Sequence, residues 1–319
     1  MYKIAFVFPG QGSQSVGMGK YIYSNYSQAR EIIDSLNYDI NLLFNGPKKT
    51  LQLTQYAQPA IFAVSCAIFS IIKKYCNNFF AKNSKNIAVL GHSLGEYSAL
   101  FSAEVFGFTD GLKIVNARSK FIKKAININP GVMAAIIGLN ETIVIKICEE
   151  VSKDKNIVCE AVNFNSTKQV IISGHVEAIN KAVYLAKKRG ALKTVFLNVS
   201  GPFHSSLMSS ASKEMAIELK KYEFHSPIYG IYMNYDASLT SNVKSIKYKL
   251  IKQVDNPVLW KTSIQNLINT GCNKFIEIGP GRTLSSIIKK IDRSKKVFNT
   301  SDLLNLENTM EVINNFHET

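Results

Sequence analysis

The order of apolar and polar positions predicts alternating strands and helices through the first third of the chain. Residues 3–8 form an apolar strand that runs into a glycine-rich turn, and a second apolar strand covers 87–90. Helical periodicity appears at about 25–36, at 57–76 and again from Leu94. Alternating strands and helices are typical of a parallel sheet covered by helices, so this region indicates the α/β class.

The middle of the chain has a different pattern. Its predicted strands are 133–139, 158–163, 169–173 and 192–199, and its predicted helices are 141–152 and 177–189. The order β-α-β-β-α-β is the ferredoxin-like arrangement. The α/β pattern then resumes, with strands at 228–233 and 274–278. We therefore predict a discontinuous large α/β domain, 1–129 and 199–319, interrupted by a small α+β subdomain at 130–198.

Composition narrows the class of protein. Of 319 residues, 46% are hydrophobic and 19% are charged, which suits a globular chain with a sizeable core. No uninterrupted apolar run reaches the ~18 residues of a membrane span, and the longest, 60–72, predicts a buried helix. The five cysteines are scattered without a CxxC pair, and no signal-peptide pattern is visible. We expect reduced thiols and a bacterial type of cytoplasm, or an organelle stroma if a leader was removed.

The formal net charge is +15, which admits nucleic acid, a membrane surface or an acidic protein as partner. The lysines are spread along a chain rich in Lys, Asn, Ile and Tyr, so part of the excess is consistent with the codon usage of an AT-rich genome. No nucleic-acid readout motif accompanies the charge. We therefore predict neither nucleic-acid nor membrane binding.

The segment Gly91-His92-Ser93-Leu94-Gly95 matches GxSxG, the motif of a nucleophile elbow. It follows an apolar strand and opens a helix, which is the context that such an elbow requires. The glycines permit a sharp turn that exposes the serine hydroxyl at a helix N-terminus, where free backbone N–H groups favour negative charge. An ordinary glycine-rich turn is the alternative, and the context favours Ser93 as a nucleophile.

A serine nucleophile needs a base, and the chain has five histidines. His204 follows the last predicted strand of the subdomain, in a loop of the kind that often supplies catalytic groups, and we prefer it as the base. The other four are His92, His175, His225 and His317. The one beside the serine is expected to point away from it, and the last lies in the C-terminal tail. The remaining two stay open as alternatives.

Residues 8–14, Phe-Pro-Gly-Gln-Gly-Ser-Gln, end the first strand in a glycine-rich turn. Rigid backbone N–H groups in such a turn can donate to an oxyanion. The turn lacks the GKS/T ending of a phosphate loop and the GxGxxG spacing, so phosphate binding is not indicated. A plain strand-end turn is the alternative.

Several longer motifs occur together in order along the chain. They are FPGQGSQ at 8–14, GHSLGEYSAL at 91–100, GPFHS at 201–205, QVDNPVLW at 253–260 and EIGPGRTL at 277–284. Through them the chain resembles the malonyl-CoA:acyl-carrier-protein transacylases over nearly its whole length. The resemblance implies an α/β-hydrolase-like large domain with a ferredoxin-like subdomain. It also implies transfer of malonyl from coenzyme A to the phosphopantetheine thiol of acyl carrier protein, for fatty acid synthesis.

The resemblance assigns the catalytic residues. Ser93 would carry the malonyl group and His204 would be its base. The family orients this histidine with a backbone carbonyl, here that of Gln253, and does not depend on a carboxylate. That agrees with the lack of a compelling acid in the sequence, where Asp236 and Asp255 are near the histidine in order only.

The resemblance also assigns the binding residues. The backbone N–H groups of Gln11 and Leu94 would form the oxyanion hole. Arg118 would bind the free carboxylate of malonyl, a task that suits the planar fork of a guanidinium. Phe203 resembles the malonyl-selective form of its loop, and Asn163 would line the same pocket.

The partners implied are malonyl-CoA and a transient, acidic acyl carrier protein, with no metal or redox cofactor. We expect a monomer. A basic face would steer an acidic carrier protein, and Lys187, Lys188 and Arg189 are our candidates for it. A serine hydrolase or thioesterase is the first alternative, and Arg118 argues against it. A binding module without activity is the second, and the simultaneous presence of Ser93, His204 and Arg118 argues against that.

Overall fold

The computed structural model describes residues 2–36, 38–153 and 156–316. Its strands are β1 (Ile4–Phe8), β2 (Ile87–Gly91), β3 (Val132–Ile137), β4 (Cys159–Ser166), β5 (Gln169–Gly174), β6 (Lys193–Phe196), β7 (Gly230–Tyr232), β8 (Leu239–Thr240), β9 (Lys274–Glu277) and β10 (Lys296–Asn299). The helices up to the middle of the chain are α1 (Lys20–Asn25), α2 (Ser27–Asp34), α3 (Ile40–Asn45), α4 (Lys48–Leu51), α5 (Thr54–Tyr75), α6 (Asn77–Asn83), α7 (Gly95–Ser102) and α8 (Phe108–Ile128). The later helices are α9 (Glu141–Val151), α10 (Val176–Lys188), α11 (Ser209–Glu218), α12 (Val243–Gln253), α13 (Trp260–Asn269), α14 (Thr283–Ile291) and α15 (Leu303–Asn314).

The large sheet has the strand order β10-β9-β1-β2-β7-β8, and its strands are parallel except for the short edge strand β8. Every residue of β1 and β2 is buried, since helices cover both faces of a sheet of this kind. In this register Phe8 lies opposite Gly91. The turn after β1 and the GxSxG turn after β2 therefore meet at one edge of the sheet, where α/β proteins place their sites.

The second sheet is antiparallel, with the order β4-β5-β3-β6. Helices α9 and α10 pack against it around a separate apolar core that includes Ile136, Ile147 and Ile179. This is the predicted ferredoxin-like arrangement, and the α/β fold class with an α+β subdomain is confirmed. The strands of the second sheet all fall within 130–198, and that range stays our prediction for the subdomain boundaries.

Helix α5 is the one helix in the described ranges that is long and apolar enough to span a membrane by length and composition. The most apolar stretch of this helix is 83% buried inside the protein, where α5 packs against α2, α7 and α8. The prediction of a buried helix at 60–72 is therefore confirmed.

The predicted strand 192–199 is too long. Strand β6 pairs with β3 only from Lys193 to Phe196. After the bond from Leu197 N to Met133 O, at 2.9 Å, the chain leaves the sheet, and residues 197–199 line a cavity. Leu197 and Val199 are therefore apolar because they line the cavity, not because they belong to a paired strand.

Candidate active site

Ser93 occupies a sharp turn between β2 and α7. Its φ is 53°, in the left-handed region that a residue with a side chain adopts only where the surroundings impose it. The flanking glycines are required by space. A Cβ on Gly91 would lie 1.8 Å from the carbonyl carbon of Gly95, and a Cβ on Gly95 would lie 2.0 Å from the carbonyl oxygen of Phe8. The segment therefore has the geometry of a nucleophile elbow.

The structure brings His204 to Ser93. The serine Oγ lies 2.7 Å from His204 Nε2, and His204 Nδ1 lies 2.7 Å from the backbone oxygen of Gln253. A carbonyl only accepts, so Nδ1 carries the proton and Nε2 of the neutral ring accepts from the serine hydroxyl. Burial, together with the charge of Arg118, lowers the pKa of His204 to about 3, which keeps the ring neutral and able to take a proton.

The other histidines that the structure describes are elsewhere or differently engaged. The Nε2 of His92 lies 2.9 Å from Asn165 Oδ1, so this ring points away from Ser93 as expected. The Nδ1 of His175 accepts from Val158 N at 3.1 Å, in the second sheet. His225 is exposed. His317 lies outside the described residues.

The two acidic residues weighed from the sequence, Asp236 and Asp255, each have a partner other than His204. Asp236 pairs with Lys249 at 3.0 Å, and Asp255 accepts from Asn256 Nδ2 at 3.0 Å. The groups that orient the His204 ring are backbone groups, the carbonyl of Gln253 at Nδ1 and the backbone of Asn256.

The backbone N–H groups of Gln11 and Leu94 have no acceptor among the residues that the structure describes. Gln11 belongs to the turn after β1, and its side chain is held by Thr54 Oγ1, which lies 3.0 Å from Nε2. Leu94 follows the serine directly. Both donors are therefore available to an oxygen that develops charge beside Ser93.

Arg118 projects from α8 into the same site and is only 3% exposed. Its Nη1 donates to Gln58 Oε1 at 2.7 Å, and its Nη2 lies 3.2 Å from Gln253 Oε1 and 3.3 Å from Ser93 Oγ. Burial lowers the pKa of Arg118, but a guanidinium stays protonated in proteins. Its Nε has no partner within the described ranges. The site thus contains a buried cation within hydrogen-bond distance of the serine.

These groups line a cavity of about 460 Å³ between the two sheets. Asn163, on β4, and Phe203 both line it and are largely buried. The side-chain Oδ1 of Asn163 has no partner in the part of the chain that the structure describes. All eight residues singled out from the sequence lie in or beside this site: Gln11, Ser93, Leu94, Arg118, Asn163, Phe203, His204 and Gln253.

Comparison with known proteins shows the family. The family model of the acyl transferase domain matches residues 5–308 of the sequence. The malonyl CoA-acyl carrier protein transacylase of Bacillus subtilis is 36% identical over 320 residues, with 98% of each chain covered. The chain belongs to this transacylase family. A family member from Staphylococcus aureus is 37% identical over 302 residues, which cover 93% of this chain and 95% of that protein.

Solved family structures have the same fold. The transacylase from Coxiella burnetii superposes with a TM-score of 0.91 at 33% identity, over 98% of both chains. A malonyl-transacylase in complex with its type II PKS acyl-carrier protein gives a TM-score of 0.90 at 33% identity, over 97% of this chain and 99% of that one. The resemblance predicted from the motifs is confirmed, and the chain is an acyltransferase.

Sequence reasoning missed several residues that hold the site together. They are Gln58, Glu96, Asn165, Asn234 and the side chain of Gln253. A signal existed for Gln58, a polar residue at the start of an apolar helix. None existed for Asn234, whose polar character is ordinary for a turn. Among the described residues no group of three or more His, Cys, Asp or Glu side chains is arranged to hold a metal ion.

Proposed function

We propose that the protein transfers malonyl from malonyl-CoA to the phosphopantetheine thiol of acyl carrier protein, through a malonyl ester on Ser93, and so supplies the extender unit of fatty acid synthesis. The observation that carries the proposal is the distance of 3.3 Å between Arg118 Nη2 and Ser93 Oγ. An acyl group on that oxygen would have its own carboxylate within reach of the guanidinium, whose planar fork suits a carboxylate.

In the first half-reaction, His204 Nε2 takes the proton of Ser93 as the serine oxygen attacks the thioester carbon. The oxyanion that forms is stabilised by the N–H groups of Gln11 and Leu94. When the carbon–sulfur bond breaks, the coenzyme A sulfur takes the proton from Nε2. The carbonyl of Gln253 stabilises the imidazolium in between, through Nδ1–H.

The second half-reaction runs the same steps in reverse. The pantetheine thiol gives its proton to His204 and attacks the malonyl ester, and Ser93 leaves with that proton. In both half-reactions the malonyl group moves from one nucleophile to another without oxidation or reduction, so the reaction needs no redox cofactor. A neutral His204 is required at the start of each half, which agrees with its lowered pKa.

We infer that the basic end of α10 contributes to carrier-protein encounter. Lys187 and Lys188 are exposed there, whereas Arg189 is already ion-paired with Glu150. Strand β6 leads from this end toward residues 197–199 at the cavity. Reversal of the charges at 187 and 188 is expected to raise the KM for carrier protein and to leave the KM for malonyl-CoA unchanged. An unchanged KM for carrier protein would contradict this assignment.

The test of the function is intact-mass analysis after mixing with malonyl-CoA. We expect a gain of one malonyl group in the wild type and in Ser24→Ala, which alters an exposed serine. We expect no adduct in Ser93→Ala and a reduced adduct in Arg118→Ala. Transfer to holo-acyl carrier protein then completes the assay.

The alternatives give different results in the same experiment. Release of coenzyme A without an adduct, at a rate independent of carrier protein, identifies a hydrolase. Neither an adduct nor release identifies a binding module or a different acyl donor. Either result refutes the proposed transfer.

A further inference from the structure

A buried carboxylate beside the nucleophile has no role in the mechanism above. Glu96 lies in the first turn of α7, three residues after Ser93, and is 1% exposed. Its Oε1 accepts from the backbone N–H of Asn234 and its Oε2 accepts from Gln253 Nε2, each at 2.5 Å. Both oxygens are therefore used as acceptors, by residues from two different parts of the chain.

The first contact supports the elbow itself. Asn234 is completely buried after β7. Its Oδ1 accepts from Ser93 N at 2.7 Å, and its Nδ2 donates to Gly91 O at 2.7 Å. The amide thus bridges the backbone on both sides of His92, and Glu96 fixes the backbone that carries the amide. This contact opposes relaxation of the strained φ of Ser93.

The second contact reaches the other groups of the site. Gln253 Nε2 donates to Glu96 and also to Ser93 O at 2.8 Å. This orientation directs Gln253 Oε1 toward Arg118, at 3.2 Å. The backbone oxygen of the same glutamine accepts from His204 Nδ1. The side chain and the backbone carbonyl of Gln253 therefore connect Glu96 to the nucleophile, the base and the buried cation.

We propose that the carboxylate form of Glu96 is a positioning group, which aligns Ser93, His204 and Arg118 by fixing the side-chain amide of Gln253 and the backbone of Asn234. This proposal rests on the proposed function. It identifies a requirement for a negative charge at a site that touches neither substrate nor the reacting atoms.

The hydrogen-bond pattern explains why a carboxylate is needed. A protonated acid or an amide at position 96 has a donor in place of one acceptor. If that donor faced Asn234 N–H, two donors would oppose each other. If it faced Gln253, the amide of Gln253 would have to rotate by half a turn, which would turn its NH₂ toward Arg118. Either change removes one of the two hydrogen bonds through which Glu96 fixes the backbone of Asn234 and the side chain of Gln253.

The charges around Glu96 set the pH range of the effect. Arg118 on α8 favours the carboxylate, whereas Asp236, itself paired with Lys249, opposes it, and Tyr97 lies next in the chain. Burial dominates and raises the pKa of Glu96 to about 8. Since the pKa of His204 is lowered to about 3, a loss of acylation as the pH falls through about 8 would come from Glu96 and not from the base.

The experiment is single-turnover acylation by malonyl-CoA, followed by intact mass from about pH 6 to about pH 9. The acylation rate of the wild type is expected to fall as the pH drops through about 8, and this fall is called the limb. Glu96→Gln is expected to acylate about 10- to 100-fold more slowly than the wild type at the alkaline end and to lose the limb. Glu96→Asp keeps a carboxylate and is expected to keep a limb. The matched control is Glu277→Gln. Glu277 is another completely buried carboxylate, with bonds from Leu284 N and Ser285 N, and its replacement should leave the limb in place.

Three outcomes overturn the proposal. The first is a wild-type rate and profile in Glu96→Gln. The second is a slower Glu96→Gln that keeps the limb, since this is what a purely structural role gives. The third is a wild type whose acylation rate does not fall anywhere between about pH 9 and about pH 6, which decides the matter even if Glu96→Gln does not fold. A wild type that forms no malonyl adduct at any pH refutes the proposed function itself, and the assignment of Glu96 falls with it.

Discussion

Removal of the Arg118 guanidinium should change which acyl group the protein accepts. In Arg118→Ala the malonyl carboxylate would enter a buried site without its counter-charge. At about 4 Å and an effective dielectric constant of about 20, that interaction amounts to about 4 kcal/mol. Each 1.4 kcal/mol corresponds to about a tenfold change in rate, so kcat/KM for malonyl-CoA should fall by about 10³ relative to that for acetyl-CoA.

The ratio of the two substrates is the quantity to measure. Loss of Arg118 also leaves the acceptors on Gln58 and Gln253 unpaired, which costs about 1–3 kcal/mol for each buried group. That cost is common to both acyl groups and cancels in the ratio. Acylation rates with malonyl-CoA and acetyl-CoA give the ratio directly, with Arg30→Ala as the control, since Arg30 is exposed. A malonyl-to-acetyl ratio within a few-fold of the wild type would refute the assignment of Arg118.

Three further results are expected. His204→Gln should slow acylation by about 10²- to 10⁴-fold in a quenched-flow assay, and an unchanged rate would exclude His204 as the base. Gly95→Ala should lower the urea midpoint, because its Cβ would lie 2.0 Å from the carbonyl oxygen of Phe8; a wild-type midpoint would show that the elbow can relax. Since the pKa of His204 is lowered to about 3, the unfolded chain binds more protons than the native one from about pH 6.5 down to that value. The free energy of unfolding should therefore fall with falling pH, by up to about 1.4 kcal/mol per pH unit from this group. His204→Gln should remove that component, His225→Gln should keep it, and equal slopes in the two variants would contradict the assignment.

The elements that the sequence predicted best have local causes. The nucleophile elbow could be predicted because a strand, two glycines and a helix start are contiguous. The close approach of Gly95 to β1 explains the second glycine, and the contact of Gly91 with the backbone of Gly95 explains the first. The subdomain could be predicted because its six elements follow in order within 130–198. Helices without such local signals in the sequence, α8 and α15 among them, could not be predicted from periodicity.

The support of the site could not be predicted in the same way. Gln253 orients His204 through its backbone carbonyl, and every residue type has one, so its residue type gave no indication. Glu96 lies 138 residues from Asn234 and 157 from Gln253 along the chain. In a linear sequence each of these polar residues reads as part of a solvated surface. Only the fold shows that all three are buried together.

The cavity is built from both sheets, one in the large domain and one in the ferredoxin-like subdomain inserted into it. The nucleophile and the turn with Gln11 come from the large sheet, whereas Asn163 and Ile171 enter the cavity wall from the second sheet. His204 lies on the return segment between the two, with its φ at 63°. The segment that returns from the second sheet therefore carries the base to Ser93, where the carbonyl of Gln253 in the large domain holds it. The same segment lines the pocket that would receive the acyl group, so the base and part of the pocket wall come from one stretch of chain.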